Sequence, residues 1–350
     1  MAVNEKYELL KKLCMTNGVS GDEDDVRDLI KSEIESYCDE ITVDNLGSLI
    51  AFKKGKKTPP KKILYLAHMD ETGYYVKKID EDGFLKIDSI GVPANVTPGK
   101  TVTVKATAGG EPKLIKGVIG NAAIHLSHGS QNVPAIKDLG VDIGAKKKDE
   151  AEGKVAIGDS VYFDSEFDEF GNFLKAKAFD DRVGCFNLIN MIKSDLEYDT
   201  WFAFVVQEEV GTRGSKAVGY RLNPDIAFIL EGTTAADIGG VDPEGKVCIL
   251  GKGVALSFAD RSSIYNPVMV ERAAAAANAE NVLWQPKTFV SGGNDAGSVQ
   301  RSADGTLVCT LSVPVRYLHS RISVCAPADI DSMYDFCMAL QKHMDTIFSI

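Results

Sequence analysis

Five places in this 350-residue chain set acidic or imidazole side chains directly behind an apolar run or at the mouth of a helix. Ile63–Ala67 leads into His68-Met-Asp70, and Ala178-Phe-Asp180-Asp181-Arg182 opens a helix-patterned segment. Phe202–Val206 leads into Gln207-Glu208-Glu209, Ile226–Leu230 ends at Glu231, and Leu307–Val313 is followed, after Pro314-Val-Arg-Tyr-Leu, by His319. Open α/β sheets build their sites at strand ends of this kind. A single strand-end carboxylate is an ordinary loop charge; a set of five, two with histidine, is not. Two imidazoles and three carboxylates are donors that zinc, cobalt or manganese accept. If one carboxylate bridges, five residues supply three ligands to each of two ions and leave a shared position for water, as a hydrolytic dinuclear site requires. Asp70, two residues after His68, can orient that ring through its other nitrogen. In Glu208-Glu209 one glutamate can bind metal while its neighbour stays free as a general base.

The elements that must position these groups alternate. Ser20-Gly-Asp-Glu23 reads as a capping box ahead of Val26, Leu29, Ile30, Ile34 and Tyr37 at helical spacing. A strand-like stretch from Ile41 to Phe52 breaks at Asn45-Leu-Gly47, and the continuously apolar run Ile63–Ala67 predicts a central strand of a covered parallel sheet. Between Gly73 and about Lys175 the texture changes to short strands rich in Gly, Val and Thr, which predicts an inserted all-β unit. Alternation then resumes: helix Arg182–Ile192, strands at Phe202–Val206 and Ile226–Leu230, an alanine-rich helix to Ala279, strand Leu307–Val313, and a long helix from near Asp329. The expected architecture is an α/β catalytic domain, 1–72 with 176–350, carrying a small β domain over 73–175.

Composition removes other classes. Lys+Arg 39 against Asp+Glu 50 gives a net charge of −11, the wrong sign for sequence-independent nucleic-acid binding. No apolar run approaches the roughly 20 residues of a membrane span, and the N-terminus has no apolar signal region. Seven cysteines without a CxxC fit free thiols in a reducing cytoplasm. Gly240-Val-Asp-Pro-Glu-Gly245-Lys246 imitates a phosphate loop, but Val247 stands where a magnesium-binding hydroxyl is needed. Gly251-Lys252-Gly253 reads as either a substrate-bordering loop or a simple turn, and Cys185 as a small buried helix residue. His125 and His128 read as structural or surface residues and His343 as a solvated helix position.

His68-Met-Asp70-Glu71-Thr-Gly73, Ala178-Phe-Asp180-Asp181-Arg182, Gln207-Glu208-Glu209-Val-Gly211-Thr-Arg-Gly214 and Arg316-Tyr-Leu-His319-Ser320 resemble the signatures of the tetrahedral (glutamyl) aminopeptidases, some of which carry the name endoglucanase. Asp138-Leu139-Gly-Val-Asp142-Ile-Gly144-Ala145 and Gly292-Gly-Asn-Asp295-Ala-Gly297 also match, so the resemblance spans essentially the whole chain. It implies a three-layer α/β/α dinuclear metallopeptidase domain with an inserted β dimerisation domain, assembled as dimers or dodecamers. It also implies that Asp180 bridges two divalent ions, zinc foremost, with His68 and Glu231 completing one site and Glu209 and His319 the other. Glu208 matches the base and Asp70 the orienter of His68. The family usually has Asp at the position of Glu231; Asp237 is the alternative, but Glu231 directly ends the apolar strand. The expected function is removal of N-terminal residues from short peptides, with no nucleic-acid or membrane partner. Its rivals are a deacylase or other amidohydrolase and a catalytically silent oligomeric relative.

Overall fold

The structure, a computed structural model, describes residues 3–121, 133–290 and 292–350. His125 and His128 lie outside the described residues.

Strand Ile63–His68 sits at the middle of an 11-stranded sheet, flanked in parallel by Thr200–Val205 and Ile226–Thr234. The latter runs in parallel register with Leu307–Arg316, from Ile226 opposite Leu307 to Thr234 opposite Val315. These strands are apolar on both faces because both faces are covered. Tyr65, Phe202 and Phe228 pack on one face with helices Glu8–Met15, Asp24–Ile34, Phe179–Lys193 and Pro327–Lys342. The Tyr65 ring lies 4.7 Å from Phe228 and 6.0 Å from Phe202, centroid to centroid. Leu64, Leu66, Ala203 and Ile229 face the other way, against Val218 and Leu222 of helix Arg213–Leu222 and Val299 of helix Asp295–Gln300. Four strands pointing the same way bring four chain segments to one sheet edge, which gathers the charged residues that follow them.

The stretch 41–52 is a hairpin, Glu40–Val43 paired antiparallel with Leu49–Lys53. The capping box does not form. Helix Asp24–Ile34 has no side-chain cap at Glu23. The Ser20 hydroxyl donates instead to Asp70 Oδ2 at 2.6 Å, and Glu23 Oε1 accepts the backbone N–H groups of Gly21 and Gln207. Tertiary contacts have taken both side chains away from the helix end.

Strands Gly73–Ile79, Leu85–Ile90, Thr101–Ala106, Lys113–Ile119, Val141–Asp142 and Ser160–Phe163 close into a barrel around Tyr74, Val76, Ile87, Val104 and Val161. Closure leaves the barrel without free strand edges. Its last strand ends at Phe163. Asp168–Phe170 and Phe173–Ala176, at the end of the stretch 73–175, instead pair with one another and, through Ser323–Cys325, into the large sheet. Asp22 fastens the barrel to the sheet domain by accepting from Lys105 Nζ at 2.5 Å and from the Tyr162 hydroxyl. All seven cysteines are free, six of them buried, and no described helix is long and apolar enough to cross a membrane.

Candidate metal centre

His68 is the last residue of the central strand. Its Nε2 stands 3.2 Å from Asp180 Oδ1 and 3.7 Å from Glu231 Oε2. On the other side Nδ1 faces the Asp70 carbonyl oxygen at 3.0 Å and Asp70 Oδ1 at 3.4 Å. His319 Nε2 lies 3.7 Å from Asp180 Oδ2 and 3.5 Å from Glu209 Oε1. The two oxygens of Asp180 therefore face different imidazoles. Gln207 and His319 hold left-handed backbone, φ 59° and 56°, which non-glycine residues rarely adopt and which marks the turns that present Glu208, Glu209 and His319.

Asp70 does more than face a ring. Fully buried, it accepts the backbone N–H of Glu208 through Oδ1 at 2.9 Å and that of Glu209 through Oδ2 at 3.1 Å, besides the Ser20 hydroxyl. Burial works to raise its pKa, but His68, Ser20 and the Glu208 amide together hold it below the usual carboxylate value. One carboxylate thus fixes the ends of two neighbouring strands.

The remaining carboxylates behave oppositely. Burial raises Glu208 and Glu231 well above the ordinary value and Glu209 to about 7, with neighbouring carboxylates adding to the effect. Asp180 is the exception: burial pushes it up, but His319 and His68 pull it below the ordinary range. Burial also opposes protonation of His319, yet Asp180 and Glu209 carry it to about 9. So many buried acids together favour a bound cation. Glu231 Oε1 is buried with no hydrogen-bond partner among the described residues, as an unclaimed ligand atom would be. His68, Asp180 and Glu209, and separately His68, Asp181 and Glu231, each bring ligand atoms within 4.8 Å of one another. Oxygen and imidazole donors in this arrangement fit a divalent ion.

Asp237, the alternative to Glu231, is engaged elsewhere. It forms a bidentate pair with Arg316, Nε 2.6 Å and Nη2 2.8 Å, and accepts the Leu250 N–H. Gly251 and Gly253 donate their N–H groups to Asp329, making Gly251-Lys252-Gly253 a fastened turn. Cys185 is buried, its thiol donating to the His68 carbonyl at 3.1 Å, and His343 meets Glu280 at 2.7 Å.

Some residues here carry no role in the sequence reading. Asp181 is fully buried and accepts the backbone N–H of Gly184 and of His68. Asp295 is also fully buried; burial raises it to about 7, and its charge is felt at Glu208. Beneath His68-Met-Asp70, Lys177 donates to Glu71 at 2.7 Å, while Arg182 donates to the carbonyls of Met69, Leu13 and Thr16. Asp181 and Asp295 lie inside motifs readable in the sequence. The pairing of Lys177 with Glu71, 106 positions apart, has no local signal.

A cavity of about 260 Å³ opens beside the cluster, lined by Asp180, Glu208, Glu209, Glu231 and His319 on one side and by Thr233, Thr234, Lys287 and Asn294 elsewhere. A model of the M42 glutamyl aminopeptidase family matches residues 47–336. The chain belongs to that family. Among curated relatives of this M42 chain, a putative aminopeptidase of Acetivibrio thermocellus is 35% identical over 95% of this chain and 97% of its own. A glutamyl aminopeptidase of Lactococcus lactis is 30% identical (98% and 97% covered), and a lysyl aminopeptidase of Pyrococcus furiosus 29% (97% and 97%). Among solved structures, aminopeptidase APDkam598 from Desulfurococcus kamchatkensis superposes with a TM-score of 0.92 at 32% identity, covering 97% of this chain and 94% of that one. PhTET1-12s, solved as a dodecamer, superposes with a TM-score of 0.85 at 31% identity, covering 97% and 99%.

Proposed function

We propose that this chain is a metal-dependent aminopeptidase that removes N-terminal residues from short peptides, using two divalent ions per subunit. The observation that carries the reading is the division of Asp180 between two imidazoles, His68 at 3.2 Å and His319 at 3.7 Å, on the wall of a cavity that Glu208 also lines. Ions held by His68, Glu231 and Asp180 and by Glu209, His319 and Asp180, zinc first and cobalt or manganese as substitutes, would polarise the scissile carbonyl and lower the pKa of an attacking water. Glu208 accepts a proton from that water as its oxygen bonds to the carbonyl carbon, and returns the proton to the amine nitrogen as the C–N bond breaks. Asp70 fixes the backbone that carries Glu208 and Glu209 by accepting both of their amide N–H groups. Burial of Glu208 favours a proton on its carboxyl, which suits the half of the cycle in which it donates.

The test is a panel of aminoacyl chromogenic amides with matched N-acetylated controls. Metal-loaded protein is expected to cleave the free amines, to spare the acetylated series, and to lose turnover on exhaustive chelation. Equal cleavage of the acetylated series would transfer the site to the deacylase reading.

The β barrel carries the contacts between subunits. Strand Lys113–Ile119 turns Leu114 and Val118 outwards, 63% and 45% exposed, away from the barrel's buried cluster. Apolar residues left in solvent on a closed barrel suit a partner surface, and the dodecameric relative supports assembly by a second copy. Light scattering should return a multiple of 37.8 kDa, and a fully active monomer at micromolar concentration would remove the assignment. Six buried free thiols support work in a reducing cytoplasm.

A further inference from the structure

Ser20-Gly21-Asp22-Glu23 has the spacing of a capping box but gives helix Asp24–Ile34 no side-chain cap. Its three polar side chains reach three other parts of the molecule. The Ser20 hydroxyl donates to Asp70 Oδ2 at 2.6 Å. Asp22 accepts from Lys105 and Tyr162 of the barrel, which ties the turn down from the far side. Glu23, only 4% exposed, receives the Gln207 N–H at 3.1 Å and the Gly21 N–H at 2.8 Å on the same Oε1.

The element that Glu23 reaches is the turn that leaves strand Thr200–Val205 and presents Glu208 and Glu209. Three successive amides there are received by carboxylates, Gln207 by Glu23 and both Glu208 and Glu209 by Asp70. Asp70 fixes the residues that carry the chemistry; Glu23 fixes the residue before them, where the chain bends. Gln207 has φ 59°, a left-handed conformation that a residue with a β-carbon keeps only where its surroundings impose it. Among the described residues the Gln207 N–H has no other acceptor. Without Glu23 that amide would lack a partner in a part-buried place, and turning the peptide towards water would relieve it. Such a turn would carry Glu208, the next residue, with it. Burial and the Asp70 charge push Glu23 up to about 7, with the Gly21 and Gln207 N–H groups pulling it back, so a neutral acceptor of the same length suits the place.

We propose that Glu23 is a positioning residue for the reaction, holding the left-handed Gln207 peptide so that Glu208 faces the cavity beside the metal ligands. The inference rests on the aminopeptidase reading above and adds to it a residue outside the cavity lining. Three full-length variants separate reach from charge. Glu23→Gln keeps the acceptor and its length, Glu23→Asp keeps the charge but is one methylene short, and Glu23→Ala removes both. On an aminoacyl p-nitroanilide that metal-loaded wild type cleaves, kcat should fall on the order of 10²-fold in Glu23→Ala and Glu23→Asp, the scale for a catalytic group displaced by about 1 Å. KM should stay near wild type, and Glu23→Gln should recover most of kcat. Should Glu23→Ala fail to fold, Glu23→Asp reports the same loss. Metal analysis should return the wild-type ion content in each variant, since Asp70 still receives the Glu209 amide. Independently of activity, hydrogen exchange on the metal-free proteins should find segment 207–209 exchanging about tenfold faster in Glu23→Ala and Glu23→Asp, as loss of a hydrogen bond to a charged group predicts, and near wild type in Glu23→Gln. The proposal falls if Glu23→Ala and Glu23→Asp lose melting temperature but keep wild-type kcat, if Glu23→Gln is as impaired as they are, or if the segment exchanges no faster. An ion missing from any variant would overturn it in favour of a role at Glu209. Wild-type turnover with unaffected variants removes this inference alone; wild type that cleaves no aminoacyl amide removes the aminopeptidase reading and this inference with it.

Discussion

Glu208→Gln is expected to lower turnover by about 10²- to 10⁴-fold, the range for loss of a general base. Gln keeps the size of the side chain and the backbone N–H that Asp70 Oδ1 accepts at 2.9 Å, so the strand end should hold its place. What disappears is the carboxylate proposed to take the proton. Metal content measured on the purified variant should match wild type, and the melting temperature should not fall, since burial makes a charge at this position unfavourable. A variant that loses an ion would show that Glu208 and Glu209 have exchanged roles. A variant with wild-type turnover would place the base elsewhere.

Asp180→Asn should be more damaging. Its carboxylate stands between His68 and His319, with one oxygen directed to each. An amide offers one weak acceptor in place of two charged ones. Metal analysis should find one ion or none, against the two per subunit proposed for wild type. Turnover should fall on the order of 10³-fold or more, because several kcal/mol of charge stabilisation go with the ions and each 1.4 kcal/mol is tenfold in rate. Two retained ions with turnover within tenfold of wild type would deny Asp180 its shared position.

How much of this was legible depended on how local the signal was. Ile63–Ala67 and Ile226–Leu230 announce buried parallel strands by unbroken apolarity, and residues that end such strands must arrive at the same sheet edge, so His68 and Glu231 could be named in advance. His319 follows its strand at one remove, through a turn with φ 61° at Tyr317 and 56° at His319, yet the apolar run Leu307–Val313 ahead of it still names it by pattern. The capping box failed because local spacing cannot show that Ser20 lies within 2.6 Å of Asp70, fifty positions on. Strands Asp168–Phe170 and Phe173–Ala176 look like the short strands before them; only their pairing towards Ser323–Cys325 separates them from the barrel.

The barrel is also not a detachable attachment. Gly91, at the end of barrel strand Leu85–Ile90, points its carbonyl at His319 Nδ1 from 3.1 Å. Its φ is +71°, and a β-carbon there would stand 2.6 Å from Thr72 Cγ2 and 3.2 Å from Glu209 Oε2. The barrel therefore brings a backbone carbonyl to an imidazole of the candidate metal centre, and leaves no room for a side chain beside Glu209. In a chimaera that carries a foreign barrel, the carbonyl facing His319 would come from that barrel, so exchange of the insert should be read out at the metal centre as well as in assembly.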